Sequence, residues 1–190
     1  ERLTCLHKAN NDGVTPLHIA AFQGHFDVIK ELLEGLTDAD RLEYLYKATN
    51  YGVTPLHFAV FKGNVEVIKE LLEGLTDESR LTCLHKVTNR GSTPLSIAAE
   101  QGHANVITEL LDGLSSDQIV TILQEKDMRG SIPLYIAAKR GRATVIKELS
   151  KGLTAEARLA CLQMSDNDRF NPLRHAAFKG HVEVIKVLLE

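Results

Sequence analysis

The feature that most constrains this chain is a period. Its five prolines, Pro16, Pro55, Pro94, Pro133 and Pro172, stand 39 residues apart at every step. The thirteen glycines keep the same phase in three series: Gly13, Gly52, Gly91 and Gly130; Gly24, Gly63, Gly102, Gly141 and Gly180; Gly35, Gly74, Gly113 and Gly152. A fixed period of roughly 20 to 50 residues specifies stacked supersecondary units that bury their apolar faces on one another, not one closed domain. Residues 1–190 are therefore expected to form a single array without a linker, cut within a repeat at both ends.

One unit, read from Asn50, is NYGVTPLHFAVFKGNVEVIKELLEGLTDESRLTCLHKVT. Gly52 suits a tight turn that needs positive φ, and Thr54 before Pro55 reads as a cap followed by proline in the first helical turn. A first helix carries Leu56, Ala59 and Val60 inward and stops at Gly63. In VEVIKELLE, Val67, Ile68, Leu71 and Leu72 recur at helical spacing opposite Glu66, Lys69, Glu70 and Glu73, which predicts an amphipathic second helix ending at Gly74. LTDESRLTCLHK then offers a Thr cap, early acidic residues, and Leu81 and Leu84 three apart. That pattern predicts a third short helix, with counterparts from Thr37, Ser115 and Thr154. Residues 2–8 repeat its phase, Leu3 and Leu6 matching Leu42 and Leu45, so the chain is expected to open inside a third helix.

GVTPLHIAAFQGHFDVIKELL from Gly13 and GVTPLHFAVFKGNVEVIKELL from Gly52 resemble ankyrin repeats. The T-P-L-H-x-A signature is complete in these two units, and STPLSIAAEQGHANVITELL and NPLRHAAFKGHVEVIKVLL keep most of it. The resemblance covers all five units and implies an all-α ankyrin-repeat solenoid of about five stacked repeats, with three short helices each and turn or hairpin tips. The departure is length: the repeat of 39 exceeds the family's usual length of about 33, and the excess supplies the third helix. HEAT and armadillo repeats approach this period but do not explain TPLH and the turn glycine in one register.

Chemistry is absent from the pattern. Cys5, Cys83 and Cys161 share one phase two periods apart, with Tyr44 and Ile122 between them, so the position reads as a packed helix site. Helices packed about 8 to 10 Å apart put these thiols far beyond the roughly 7 Å Cα limit of a disulfide. Free thiols fit a reducing, cytoplasmic setting. By resemblance, His18 and His57 of TPLH bond to the backbone of the neighbouring turn. His175 alone breaks phase, standing where Ile19, Phe58, Ile97 and Ile136 stand, with no carboxylate pair or nucleophile in its register. No Walker loop, HExxH, GxSxG or paired CxxC occurs. The chain is read as non-enzymatic, with no cofactor and no metal.

An array that binds must vary where the partner touches. In ankyrin repeats those places are the turn tips and the inner face of the first helices. The tip residues here are Asp12 and Val14, Tyr51 and Val53, Arg90 and Ser92, Arg129 and Ser131, with Arg169 and Phe170 in the last unit. The first helices end in Phe22 and Gln23, Phe61 and Lys62, Glu100 and Gln101, Lys139 and Arg140, Phe178 and Lys179, and Arg174 joins the last of them. The strip begins aromatic and ends basic: residues 127–190 hold 11 basic and 7 acidic side chains, although the whole chain is at −3. Arg129, Lys139, Arg140, Arg169, Arg174 and Lys179 are expected to align as a basic stripe that meets an acidic segment of a partner protein. Phe22, Phe61 and Phe178 are either packing under the turn or exposed anchors. A nucleic acid or acidic lipid is the rival ligand, disfavoured by the overall acidity. With 44% hydrophobic and 25% charged residues and no apolar run of membrane length, the composition is that of a soluble chain without a membrane span. The stretched repeat is similar to arrays in effectors of intracellular bacteria, which implies the host cytosol; an ordinary eukaryotic cytosolic scaffold is the alternative. The pattern carries no signal of oligomeric state.

Overall fold

A computed structural model describes residues 2–151 and 153–190, with the side chains of residues 2 and 3 outside it. Gly152 of the third glycine series and the Leu3 side chain thus lie outside the described residues. These residues form fifteen helices and no strand. First helices begin at the phased prolines: α2 (Pro16–Gln23), α5 (Pro55–Lys62), α8 (Pro94–Gln101), α11 (Pro133–Lys139) and α14 (Pro172–Lys179). Second helices are α3 (Phe26–Leu33), α6 (Val65–Leu72), α9 (Ala104–Leu111), α12 (Ala143–Ser150) and α15 (Val182–Leu189). The inserted residues fold as α4 (Asp38–Tyr46), α7 (Asp77–His85), α10 (Ser116–Leu123) and α13 (Ala155–Gln163), and α1 (Arg2–Leu6) holds the same phase.

The chain divides into two compact units, Glu1–Asn89 and Arg90–Glu190. In the first, α2 packs on α5, α3 on α6 and α4 on α7, so like helices stack on like. Leu56, Ala59 and Val60 of α5 and Val67, Ile68, Leu71 and Leu72 of α6 are buried, as their periodicity requires. In the second unit α11 lies between α8 and α14, α12 between α9 and α15, and α13 rests on α11 and α14.

Two local devices hold the inserted helix. Its cap is real: the Thr37, Thr76, Ser115 and Thr154 hydroxyls accept from the backbone N–H three residues on. Its arginine reaches across the stack, because the Arg41 guanidinium donates to the Glu70 and Glu73 carbonyls at 2.8 and 2.9 Å, and Arg158 donates to the Val187 carbonyl at 2.7 Å. Those carbonyls belong to the end of the next second helix, where intrahelical donors run out and a cation suits the dipole. Leu45, Leu84 and Leu123 are buried beneath it.

The capping threonine of the first helices is replaced in the last two repeats. Asn171, in the phase of the capping threonine, accepts from the Arg174 N–H at 2.8 Å and caps α14, because the short Asn amide reaches the same donor as a hydroxyl. Ile132, in the same phase, provides no side-chain cap for α11.

Candidate functional site

The turn tips are built by a side chain three residues ahead of the positive-φ residue of the turn, a glycine in all but the last unit, where it is Arg169. Asn10 Oδ1 accepts from the Asp12 and Val14 N–H groups, Thr49 Oγ1 from Tyr51 and Val53, Asp127 Oδ1 from Arg129 and Ser131, and Asp166 Oδ1 from Asp168 and Phe170. Each tip then hangs on the one before it. The Asn50 N–H donates to the Asp12 carbonyl and the Asn89 N–H to that of Tyr51, both at 2.9 Å; in the second unit Met128 donates to Arg90 at 3.2 Å and Asn167 to Arg129 at 2.9 Å. Glycine is needed here twice over: Gly52 has φ +74°, and a Cβ on it would come within 2.8 Å of the Asn89 nitrogen. The ladder holds the backbone of the variable tip residues in register within each unit, so what differs between repeats is side chain alone.

The two TPLH histidines beneath the tips of the first unit are structural. His18 Nδ1 accepts from the Thr15 N–H at 3.2 Å and lies 2.7 Å from the Thr15 hydroxyl, so the ring proton sits on Nε2 and is donated to the Val53 carbonyl at 3.1 Å. His57 repeats this with Thr54 and the Lys86 carbonyl. Burial pushes the His18 pKa down, against the backbone acceptor that raises it. These rings tie one repeat to the next turn as neutral donors.

The first unit presents an aromatic surface. Phe22 is half-buried and stacks on Phe61 at 6.5 Å between centroids, with Phe58 edge-on at 5.5 Å and the Lys62 ammonium 4.7 Å from the Phe22 centroid. Phe61 remains 45% exposed and Tyr51, on its tip, 64%. Phe22 is thus a packing residue and Phe61 an exposed one, although both occupy the same phase.

The second unit presents a polar cavity of about 510 Å³ between the tips and first helices of its leading two repeats. Arg90, Glu100, Arg129, Lys139 and Arg140, all singled out by variation between repeats, line it together with Ser92, Ser96, Asp127, Met128, Ser131 and Ile136. Arg140 pairs with Glu100 across the gap between α8 and α11. Gln101, Arg169, Phe170, Arg174, Phe178 and Lys179 lie outside the cavity lining. The expected six-residue basic stripe therefore contributes three members to the cavity, and the tip Arg90 brings a fourth cation.

A second cluster surrounds His175. Tyr135 donates its hydroxyl proton to Asp166 at 2.5 Å and lies 3.0 Å from His175 Nδ1, while the imidazole meets the rings of Phe170 at 5.5 Å and Phe178 at 6.0 Å. Arg174 lies 4.4 Å from the Phe170 centroid and Lys179 5.6 Å from that of Phe178. Sequence reasoning found no carboxylate for His175; the one present acts through Tyr135, whose phase is filled by His18, His57, Ser96 and Arg174 and so looked merely structural. Burial and the Asp166 carboxylate push the Tyr135 pKa up, which keeps the phenol a donor. Asp166 is raised by burial but lowered on balance by Tyr135, two backbone N–H groups and Lys139.

The ankyrin-repeat family model, described as ankyrin repeats in three copies, matches residues 1–81, 42–120, 74–157 and 113–190, end to end along the chain. The chain belongs to the ankyrin-repeat family. A search of curated proteins found no match. Against other ankyrin repeats of about 33 residues, this chain's insert is the third helix of each repeat, which in the second unit packs as α13 on the first helices α11 and α14. Cys83 and Cys161 of this ankyrin chain are buried and Cys5 is exposed; burial pushes the Cys83 thiol up to about 12, which removes its nucleophilic form at neutral pH. Among the described residues no group of three His, Cys, Asp or Glu side chains is placed to share a metal ion, and no helix is long and apolar enough to cross a membrane.

Proposed function

We propose that this ankyrin array is a non-enzymatic recognition module that binds a partner protein through its turn tips and first helices, taking an acidic segment of that partner in the cavity lined by Arg90, Arg129, Lys139 and Arg140. Ankyrin repeats mediate protein–protein interaction. The observation that carries the finer reading is the conjunction of a backbone ladder that repeats with side chains that do not: the variable cations converge on one cavity while the structural histidines stay buried. Tyr51 and Phe61 offer apolar contact on the first unit. The phase of the repeat runs unbroken in the sequence across residues 89 and 90, which supports treating 1–190 as one array.

The 39-residue repeat supports placing the chain with effector arrays of intracellular bacteria, acting in the host cytosol, and a eukaryotic cytosolic scaffold is the rival setting. The basic excess of residues 127–190 also favours a rival class of ligand, nucleic acid or an acidic lipid surface. A salt series separates them: a duplex or anionic vesicle bound at physiological ionic strength, with steep loss on adding salt, supports the rival. Saturable binding of a Glu-rich peptide, weakened by Arg129→Glu and left unchanged by Lys30→Glu on the exposed face of the second helix α3, supports protein recognition. Charges of this kind steer encounter, so the Arg129 reversal is expected to slow association, whereas Phe61→Ala speeds dissociation of a full-length partner.

A further inference from the structure

The cavity of the second unit carries an apolar side chain on its rim that the repeat does not require. Ser96 stands where His18, His57 and Tyr135 place rings, and this opens the space between α8 and α11; its hydroxyl donates to the Thr93 carbonyl at 2.9 Å, so it contributes room alone. The other departure is Met128. Its phase holds asparagine in every other repeat: Asn11, Asn50, Asn89 and Asn167. Those amides tie one tip to the one before it, Asn50 and Asn89 donating from Nδ2 to the Asn11 and Asn50 carbonyls at 2.9 Å, and Asn167 to the Met128 carbonyl at 3.2 Å. A thioether has no proton to donate. The Met128 backbone N–H still donates to the Arg90 carbonyl at 3.2 Å, so the turn keeps its backbone rung while the side chain takes no part in the amide ladder.

Met128 is 71% exposed, more than any other large apolar side chain among the described residues. It lines the cavity with the half-buried Ile136, and Arg129 and Lys139 stand on the same walls. An unbranched, polarizable methionine adapts to apolar partners of varied shape. The apolar patch is the size of one or two side chains, far below the roughly 1,200 Å² that a stable protein interface buries and too small for the continuous apolar face that enters a membrane. An acidic segment with one apolar side chain among its carboxylates fits both features: the carboxylates meet the cations, and the apolar group covers Met128 and Ile136.

We propose that Met128 is a specificity-determining contact of this cavity, and that the acidic segment of the partner carries an apolar residue of about leucine size that packs on Met128 and Ile136. The inference rests on the acidic-segment reading above and deepens it. Charge then brings the segment to the cavity, and the apolar contact selects among acidic segments.

The chain has two methionines, and the second, Met164 at the end of α13, does not line the cavity. Labelling the methionine methyls of the intact chain with carbon-13 therefore gives one reporter at the site and one control away from it. The labelled chain is titrated with Glu-flanked peptides whose central residue is leucine or serine. The leucine peptide is expected to bind about five- to tenfold more tightly and to shift the Met128 methyl signal while leaving that of Met164 in place. Salt is expected to weaken both peptides without changing their ratio, because burial of apolar area is not screened. Met128→Asn, which installs the residue of the other repeats and is monitored by helical circular dichroism, is expected to reduce the ratio to about twofold or less. Equal affinity for the two peptides, or a leucine peptide that binds without moving the Met128 signal, overturns the inference while leaving the acidic-segment reading intact. A ratio that survives Met128→Asn overturns the role of Met128. Failure of both peptides to bind overturns both readings.

Discussion

His175 shows how one residue can change the chemistry of a phase. Because Tyr135 spends its only proton on Asp166, its oxygen accepts from His175 Nδ1–H, and the lone pair of Nε2 is left buried without a partner. Burial lowers the His175 pKa, and Lys139 of α11, Lys179 of its own helix and His181 ahead of α15 lower it further against Asp166, which raises it. The folded value therefore lies below the unfolded 6.5, so the unfolded chain binds more protons in between. The stabilisation is complete above pH 6.5 and is lost as pH falls from there through the folded value. His18 has the same sign and adds to the loss. Replacing His175 with Ile, as in three other repeats, is expected to raise the melting temperature by about 2 to 4 °C, more at pH 5.5 than at pH 7.5; calorimetry showing an equal shift at both would contradict this. Arg169 is the other singular residue, the one non-glycine with positive φ (61°) among the described residues. Arg169→Gly is expected to stabilise the chain by about 1 kcal/mol in denaturant titration, since glycine occupies this region without strain.

At the scale of elements, the inserted helix is a cross-brace. The last carbonyls of a helix have no intrahelical donor, and here Arg41 and Arg158 reach such carbonyls of the second helices from the preceding third helix. Arg41→Met keeps the aliphatic stem and removes two charge-assisted bonds, so urea titration is expected to show a loss of about 1.5 to 3 kcal/mol. Leu84, 2% exposed, sits under α7. Leu84→Asp buries an unpaired carboxylate and is expected to cost about 3 kcal/mol or more, measured the same way. A loss below about 0.5 kcal/mol would mark α7 as a surface decoration.

At the scale of the molecule, a stack of repeats is stabilised by nearest neighbours, so local defects stay local. The second unit collects them: Ile132 without a side-chain cap, Ser150 where Leu33, Leu72 and Leu111 stand elsewhere, Arg169 in a left-handed turn, and the orphaned His175 Nε2. Asn171 does not belong to that set, because it accepts from the Arg174 N–H. Amide hydrogen exchange is expected to be fastest beyond about Ser131, with α5 and α6 slowest. Uniform protection along the chain would refute this gradient.

The period by itself determined the helices. Pro55, Gly63 and Gly74 mark where elements begin and end because their backbone constraints are local, and Val67, Ile68, Leu71 and Leu72 name the buried face because helical spacing is local too. The family was legible for the same reason in TPLH. Variation at the tips and first-helix ends also pointed to Arg90, Arg129 and Arg140. The tertiary structure alone decided which of these meet, since Ser96 opens space only once α11 lies against α8, and Arg140 finds Glu100 only across that gap. It alone separated Phe22 from Phe61, one phase with two burials, because the two rings stack on each other and only one can be underneath. The Asp166, Tyr135 and His175 chain joins three different phases from two repeats. A pattern that compares each position only with its own counterparts is blind to contacts between positions, and those contacts set the charge, the space and the protonation of this surface.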